Sequence, residues 1–411
     1  MLPLLASMLF AAPAQAQDKP NVIIVVWDAT RPANLPVYGY TRDTTPNLSA
    51  WAEKATVFEN AQSTSTWSVP SMAGMFTGLF SHNHRVDWEA KEFSLALPES
   101  AQTFSESMKG AGYATALYSA QGSYIRKGGF QQGFDASKHV SSEQVLKSGL
   151  EFLDAHKGQP NFLVLNWMDP HAPYEPEPVF DQWSATAKEP FVQLGQRDAE
   201  GWHKPYRVNV GLDNLSSKQF DRLRAQYDGE LLQNDNLFGQ LQDGLYDRGL
   251  RENTIIVFTA SHGEGMGEHD RQKVWHDFPY DSVLDVPLII GGPGFEATRV
   301  PHDVRTIDIY PTVTAAVGVP LTHRINGKDL RTVTTNLPNT GTSHFLQAPV
   351  FFRAGGYKLW YLRTGEPNIE LYEVSSDAAE QDNKAKNKQL YTKVQGQYEA
   401  FLKASTIPLG E

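Results

Sequence analysis

The chain has 411 residues and a mass of 45.8 kDa, more than one compact core ordinarily organises, which predicts one large domain with a smaller appendage or two comparable domains. Hydrophobic residues at 40% and charged residues at 20% exclude fibrous and disordered classes. The 36 basic against 47 acidic residues leave a net charge of −11, which argues against nucleic-acid binding through overall charge and means that an anionic ligand needs a local positive device; the absence of cysteine excludes disulfides, thiolate metal sites and a cysteine nucleophile.

Residues 1–16 join an apolar stretch to the small-residue pattern Ala14, Gln15, Ala16 and read as a cleaved secretory signal peptide, since a membrane span needs about 20 apolar residues. The expectation is a secreted or periplasmic chain without a membrane span. Asn21 to Trp27 is a continuous apolar, β-branched run of the kind buried on both faces of a sheet, and Asp28 stands at its end. Thr44, Thr45 and Pro46 supply a cap and a first-turn proline for a helix through Leu48, Trp51 and Ala52. Pro70 suits the first turn of a second helix that runs through Met75 and Phe76 to Gly78, with Ser68 at its start. Leu97, Ala101, Phe104 and Met108 fall on one helical stripe before Gly110 and Gly112, and Ala114 to Tyr118 reads as the next strand.

Ser141 with Gln144 resembles a capping box ahead of Val145, Leu146, Leu150 and Leu153; Asn161 to Asn166 is another buried strand, ending at the loop Asp169, Pro170, His171. An irregular insertion from Glu175 to Leu215 is expected to wrap the surface or to frame a binding cleft. A long helix then holds Phe220, Leu223, Tyr227, Leu231, Phe238, Leu241 and Leu245 on one stripe, followed by strands at Thr254 to Thr259 and Val286 to Ile290. After Leu337, the segments Val350 to Phe352, Tyr357 to Leu362 and Ile369 to Val374, with turns at Gly355, Gly356 and Gly365, predict a small antiparallel sheet with a helix from about Asn387. Together these elements predict an α/β fold, a mostly parallel sheet sandwiched by helices over 17–337, and a small C-terminal subdomain over 338–411.

Chemistry in such sheets collects at the carboxyl ends of strands, where Asp28, the Asp169/His171 pair and the Ser261/His262 pair all stand. Taken singly, each has a structural explanation: Asp28 as a loop hydrogen-bonder, His262 as a core histidine, Ser68 as a helix cap. Clustered histidines and carboxylates shift His262, with Glu264, Glu268 and His269 behind it, toward metal or substrate contact. A hydroxyl at a helix N-terminus is placed where amides and dipole favour an anionic oxygen.

Ordered blocks along almost the whole chain resemble the sulfatase family of the alkaline phosphatase superfamily. They are Val26 to Arg31 with Tyr38 to Leu48, Ser68 to Ser71 with Thr77 to Leu79, Asp169 to Tyr174, Tyr227 to Glu230, His262 to Glu264 with Gly267 to His269, Val286 to Ile290, Asp308 to Thr312 and Glu370 to Glu373. The resemblance implies an alkaline phosphatase-like fold and hydrolysis of a sulfate ester, on a small molecule or glycan, by a nucleophile bound to a divalent cation: calcium first, with manganese, magnesium or zinc as alternatives. Carried over by position, it makes Ser68 the nucleophile, Asp28, Ser68 and His262 metal ligands, His171 catalytic, and Lys273 and His276 contacts to the ester. Two departures follow. Relatives carry a formylglycine made within a Cys/Ser-x-Pro-x-Arg motif, whereas Met72 replaces the arginine here, so an unmodified Ser68 is expected; and Ser261 replaces an aspartate that precedes the metal-site histidine, which weakens the cation site. These departures keep open a metal-dependent phosphodiesterase or phosphoryl transferase, and a catalytically impaired protein that binds sulfated or phosphorylated glycans.

Overall fold

The computed structural model describes residues 19–87, 96–126, 128–184, 194, 204–269, 272–343, 350–362 and 368–408, with the side chains of Arg126, Gln272 and Lys273 outside that description. The segment 1–16 and Gly365 lie outside the described residues.

The main sheet is built from β1 (Asn21–Trp27), β2 (Thr56–Gln62), β3 (Ala114–Ser119), β4 (Ala136–His139), β5 (Asn161–Trp167) and β6 (Thr254–Ala260). A hairpin of β7 (Gly265–His269) and β8 (Gln272–Trp275) leaves its edge, and β9 (Asp285–Gly291) and β10 (Thr298–Arg305) complete it. The strand order is β10-β2-β9-β6-β1-β5-β3-β4, and within this sheet, among the described strands, only β9 runs antiparallel to its neighbours. Every residue of β1, β5 and β6 is buried. Alternation sends Val22, Ile24 and Val26 to one face, with the helices Ser68–Thr77 and Ile309–Ala316, and Ile23, Val25 and Trp27 to the other, with Ser142–Ala155 and Ser217–Asp247.

Four strands, β11 (Asn339–Thr342), β12 (Val350–Ala354), β13 (Tyr357–Tyr361) and β14 (Ile369–Tyr372), form the small antiparallel sheet. One of its faces packs Phe352, Leu359 and Leu371 against the helix Lys388–Ser405, and the other packs Phe351, Trp360 and Tyr372 on Phe278, Tyr280 and Leu284, which lie between β8 and β9. Gly355 and Gly356 turn with φ of 58° and 80°, which side chains rarely adopt.

Several local expectations are corrected. The helix expected from Leu97 covers only Phe104–Gly110, where Thr103 and Glu106 form a capping box; Leu97 and Ala101 are buried in loop. Ser141 is an N-cap without a side-chain cap bond, because its hydroxyl donates to Glu143 instead. Thr45 precedes the helix Pro46–Ala52 without capping it; the carboxylate of Asp235, from the long helix, accepts from the Asn47 and Leu48 amides at 2.9 and 2.8 Å. Ser68 is the first residue of its helix, not the cap, which is Trp67.

Candidate active site

Strands β6, β1 and β5 are neighbours in register, Trp27 lying beside Ala260 on one side and Trp167 on the other. The residues that follow them therefore emerge side by side at one edge of the sheet. The Asp28 amide donates to the Trp167 carbonyl at 3.0 Å, which carries the β1–β5 ladder one residue past the strand and fixes where the Asp28 carboxylate starts. Ser68 arrives from the helix after β2. It is held there by Ser71, whose hydroxyl donates to the Ser261 carbonyl.

Ser68 Oγ donates to both oxygens of Asp28, at 3.1 and 2.9 Å, and lies 3.4 Å from His262 Nε2. His262 Nε2 is 3.5 Å from Asp28 Oδ1. The hydroxyl of Ser261, at the position expected to carry a carboxylate, donates to the same Asp28 oxygen. Asp28, Ser261 and His262 are fully buried and Ser68 nearly so. The hydroxyl, carboxylate and imidazole singled out in the sequence thus meet at one point.

His171 and His276 join them: nitrogens of His171, His262 and His276 all lie within 4.8 Å of one another. His276 follows β8, where Trp275 takes φ 72° and stacks on the His276 ring at 4.7 Å and 21°, edge-on to His171 at 4.9 Å. A bulky residue in the left-handed region is held there by its surroundings, and such strain collects at functional sites. The insertion supports this corner, as Asn209 donates to the Val274 carbonyl at 2.8 Å and to Asp277 at 2.9 Å. Lys273 belongs to β8, and its side chain lies outside the described residues. His269 turns away: Nε2 meets the Glu380 carbonyl at 3.0 Å and the ring stacks on Tyr280 at 3.7 Å.

A buried polar shell holds the loop after β1. Tyr227 Oη donates to the Ala29 carbonyl at 2.7 Å and accepts the Arg31 amide at 3.0 Å, and Ala29 sits at φ 52° beside Asp28. Arg31 reaches Glu268 at 2.5 Å and the Glu264 carbonyl at 3.2 Å, tying this loop to the hairpin. Asp228 accepts from Asn34, Tyr40 and Arg42, each at 2.7 Å, so the Tyr227 to Glu230 block acts as a clamp, not a catalyst. Gly229 is needed because a Cβ there would come within 2.9 Å of Pro176. Glu264 is fully buried, and burial pushes its carboxyl well above the usual range. Burial, with the Asp28 charge second, likewise holds the proton on Tyr124, a phenol beside Ser68 and Asp28. Tyr124 carried no sequence signal, since it lies in a short helix, Gly122–Arg126, without a motif.

Calcium takes about six to eight oxygen ligands. Here Asp28 brings one carboxylate, and the hydroxyls of Ser68 and Ser261 lie against it, a thinner oxygen shell than calcium ordinarily takes. Met72, where the motif's arginine would stand, is fully buried in the apolar cluster on this face of the sheet.

The family model described as Sulfatase matches residues 20–319. The chain is 23% identical over 436 aligned residues to a Delta 4,5-hexuronate-2-O-sulfatase of Bacteroides thetaiotaomicron, covering 96% of this chain and 90% of that protein. A solved structure in complex with its substrate D-glucosamine-2-N,6-O-disulfate superposes with a TM-score of 0.76 at 20% identity over 94% of this chain and 98% of the other. A phosphonate monoester hydrolase of Agrobacterium radiobacter superposes with a TM-score of 0.71 at 18% identity, over 94% and 95% of the two chains. With the fold and the matched span in agreement, the chain belongs to the sulfatase family, sulfuric ester hydrolases on an alkaline phosphatase-like fold.

Proposed function

We propose that this chain is an exported hydrolase that cleaves the sulfate ester of a saccharide, with unmodified Ser68 as nucleophile and 17–337 as its catalytic part. The observation that carries the reading is the Ser68 hydroxyl, aimed at Asp28 from 2.9 and 3.1 Å with His262 Nε2 at 3.4 Å. Ser68 Oγ attacks sulfur while its proton passes toward Asp28 and His262, and the S–O bond to the sugar breaks. His171 gives the departing alkoxide its proton, and His276 with Lys273 balances charge on the sulfate oxygens. Water then hydrolyses the serine sulfate, because a serine cannot shed sulfate by collapsing to an aldehyde. Of the cations the resemblance implies, calcium is least suited to the donors present. A sulfated saccharide as substrate class rests on likeness to relatives named for hexuronate and glucosamine sulfates.

The test is sulfate release from sulfated disaccharides and an aryl sulfate, with Ser68→Ala as control and peptide mass spectrometry of residue 68. Turnover lost in Ser68→Ala, with an unmodified serine in the parent, agrees with the reading; turnover that survives the substitution rejects it. Faster turnover of phosphodiesters or phosphonates would favour phosphoryl transfer, a reading supported by the serine nucleophile and the phosphonate hydrolase fold neighbour. Glycan binding without turnover would favour the impaired, glycan-binding alternative, which Met72 and Ser261 motivate.

A further inference from the structure

We propose that a cavity at the far end of the Ser68–Thr77 helix is a second ligand site, built for a small molecule with an acidic head and an apolar body. The cavity, of about 420 Å³, lies between the turn after that helix, the loop around Asn326 and the last turn of the helix Lys388–Ser405. Small-molecule sites occupy about 300–1,000 Å³, so the volume is of the right size. The helix that separates it from Ser68 has 10 residues, about 15 Å at about 1.5 Å per residue, so a ligand here leaves the Ser68 pocket open.

Buried hydrogen bonds join the walls, so the cavity is preformed. Asn326 Oδ1 accepts from the Phe80 amide at 3.0 Å and from Asn83 Nδ2 at 2.7 Å, and both asparagines donate to the Ser405 carbonyl at 2.8 Å. The Asn326 and Gly327 amides close on the Gly78 carbonyl at 2.9 and 3.0 Å. Phe80 meets Phe401 edge to face with ring centroids 5.5 Å apart, and the Arg305 guanidinium lies 5.4 Å from the Phe80 centroid. With Ile325, Leu337 and Ile407, the two rings give the cavity its apolar surface.

The charge around the cavity has one sign. Arg305, Arg324 and Lys328 line it, and no carboxylate does among the described residues. Arg305 is buried and matched by Asp308, with Nε and Nη2 at 2.9 and 2.7 Å from the two carboxylate oxygens. Arg324 and Lys328 are exposed, and their side chains make no ion pair or hydrogen bond among the described residues. On a chain of net charge −11, two unmatched cations at the rim of an apolar cavity select an anion whose body the cavity buries. Carboxylate and sulfonate heads both suit a guanidinium fork beside an ammonium.

The probe is 8-anilinonaphthalene-1-sulfonate, an aromatic anion that fluoresces on leaving water, compared with N-phenyl-1-naphthylamine, which lacks the sulfonate. The full chain is expected to bind one equivalent of the sulfonate, by fluorescence and calorimetry, and to bind the amine about 10-fold more weakly, the scale of one charge-assisted hydrogen bond. Arg324→Glu combined with Lys328→Glu, both at exposed positions, should weaken the sulfonate by about 100-fold. Ala404→Trp, at an exposed position on the cavity wall, should block binding without touching the charge. Ser68→Ala should bind as the parent does, and thermal unfolding checks that every variant keeps the fold. A parent without saturable binding, or with equal affinity for the two probes, overturns the proposal. So do folded variants of the rim or wall that bind within about twofold of the parent, and so does binding lost in Ser68→Ala, which would put the probe in the Ser68 pocket. None of these readouts needs turnover, so the hydrolase reading can fail while this site stands, and the reverse.

Discussion

Replacing Ser261 by aspartate restores the carboxylate whose loss distinguishes this site. Ser261 Oγ now donates to Asp28 Oδ1 in a fully buried position. Ser261→Asp would set two carboxylates about 4 Å apart, a repulsion of about 4 kcal/mol at an effective dielectric of about 20, equivalent to about 3 pKa units. One carboxyl of the pair is then raised from the ordinary value of about 3.9 toward about 7. A carboxyl raised in the folded state binds its proton more tightly there than in the unfolded chain. Stability of the metal-free variant therefore falls as pH rises from about 4 to about 7, by up to about 4 kcal/mol relative to the parent, and the deficit disappears below about pH 4. A hard cation between the carboxylates removes the repulsion, so calcium should restore the variant and leave the parent unchanged. Urea unfolding from pH 4 to 8, with and without calcium, measures all of this. A variant as stable as the parent at pH 7 without calcium, or one indifferent to calcium, would refute the placement of Ser261 against Asp28.

Tyr227→Phe removes the hydroxyl that bridges the Ala29 carbonyl and the Arg31 amide, leaving two buried backbone groups unpaired at about 1–3 kcal/mol each; a loss of about 2–4 kcal/mol in urea unfolding is expected, with slower turnover as the loop carrying Asp28 relaxes. Gly263→Ala would bring a Cβ to 2.6 Å from the Ser282 carbonyl and 3.0 Å from that of Asp285, so thermal unfolding should report about 1–3 kcal/mol of overpacking, together with displacement of the adjacent His262. Lys358→Met strips the buried ammonium that pairs with Asp281 at 2.8 Å and with Glu380, where the small sheet meets the large domain. Asp281 keeps Arg353 at 3.8 Å but Glu380 loses its cation, which should cost about 3–5 kcal/mol, and a loss below about 1 kcal/mol would show that Glu380 is neutralised by other means.

The strands buried on both faces were legible because an apolar, β-branched run has few other uses, as with Asn21 to Trp27 and Thr254 to Thr259. Strands β2 and β10 were not. Glu59 and Asn60 interrupt β2, and β10 is largely polar and exposed at the sheet edge, so neither shows the buried pattern. The β7–β8 hairpin escaped notice because Gly265, Gly267 and charged residues mask its alternation.

Local sequence alone determined which residues end which strands, and hence that Asp28, His171 and His262 stand at carboxyl ends, because strand limits are set by side chains a few positions apart. Only the tertiary structure decided that β6, β1 and β5 are neighbours, that Ser261 spends its hydroxyl on Asp28, and that His276 turns inward through Trp275. Those outcomes depend on contacts between residues up to 233 positions apart, formed only when both sheet faces are packed, and no local pattern encodes them.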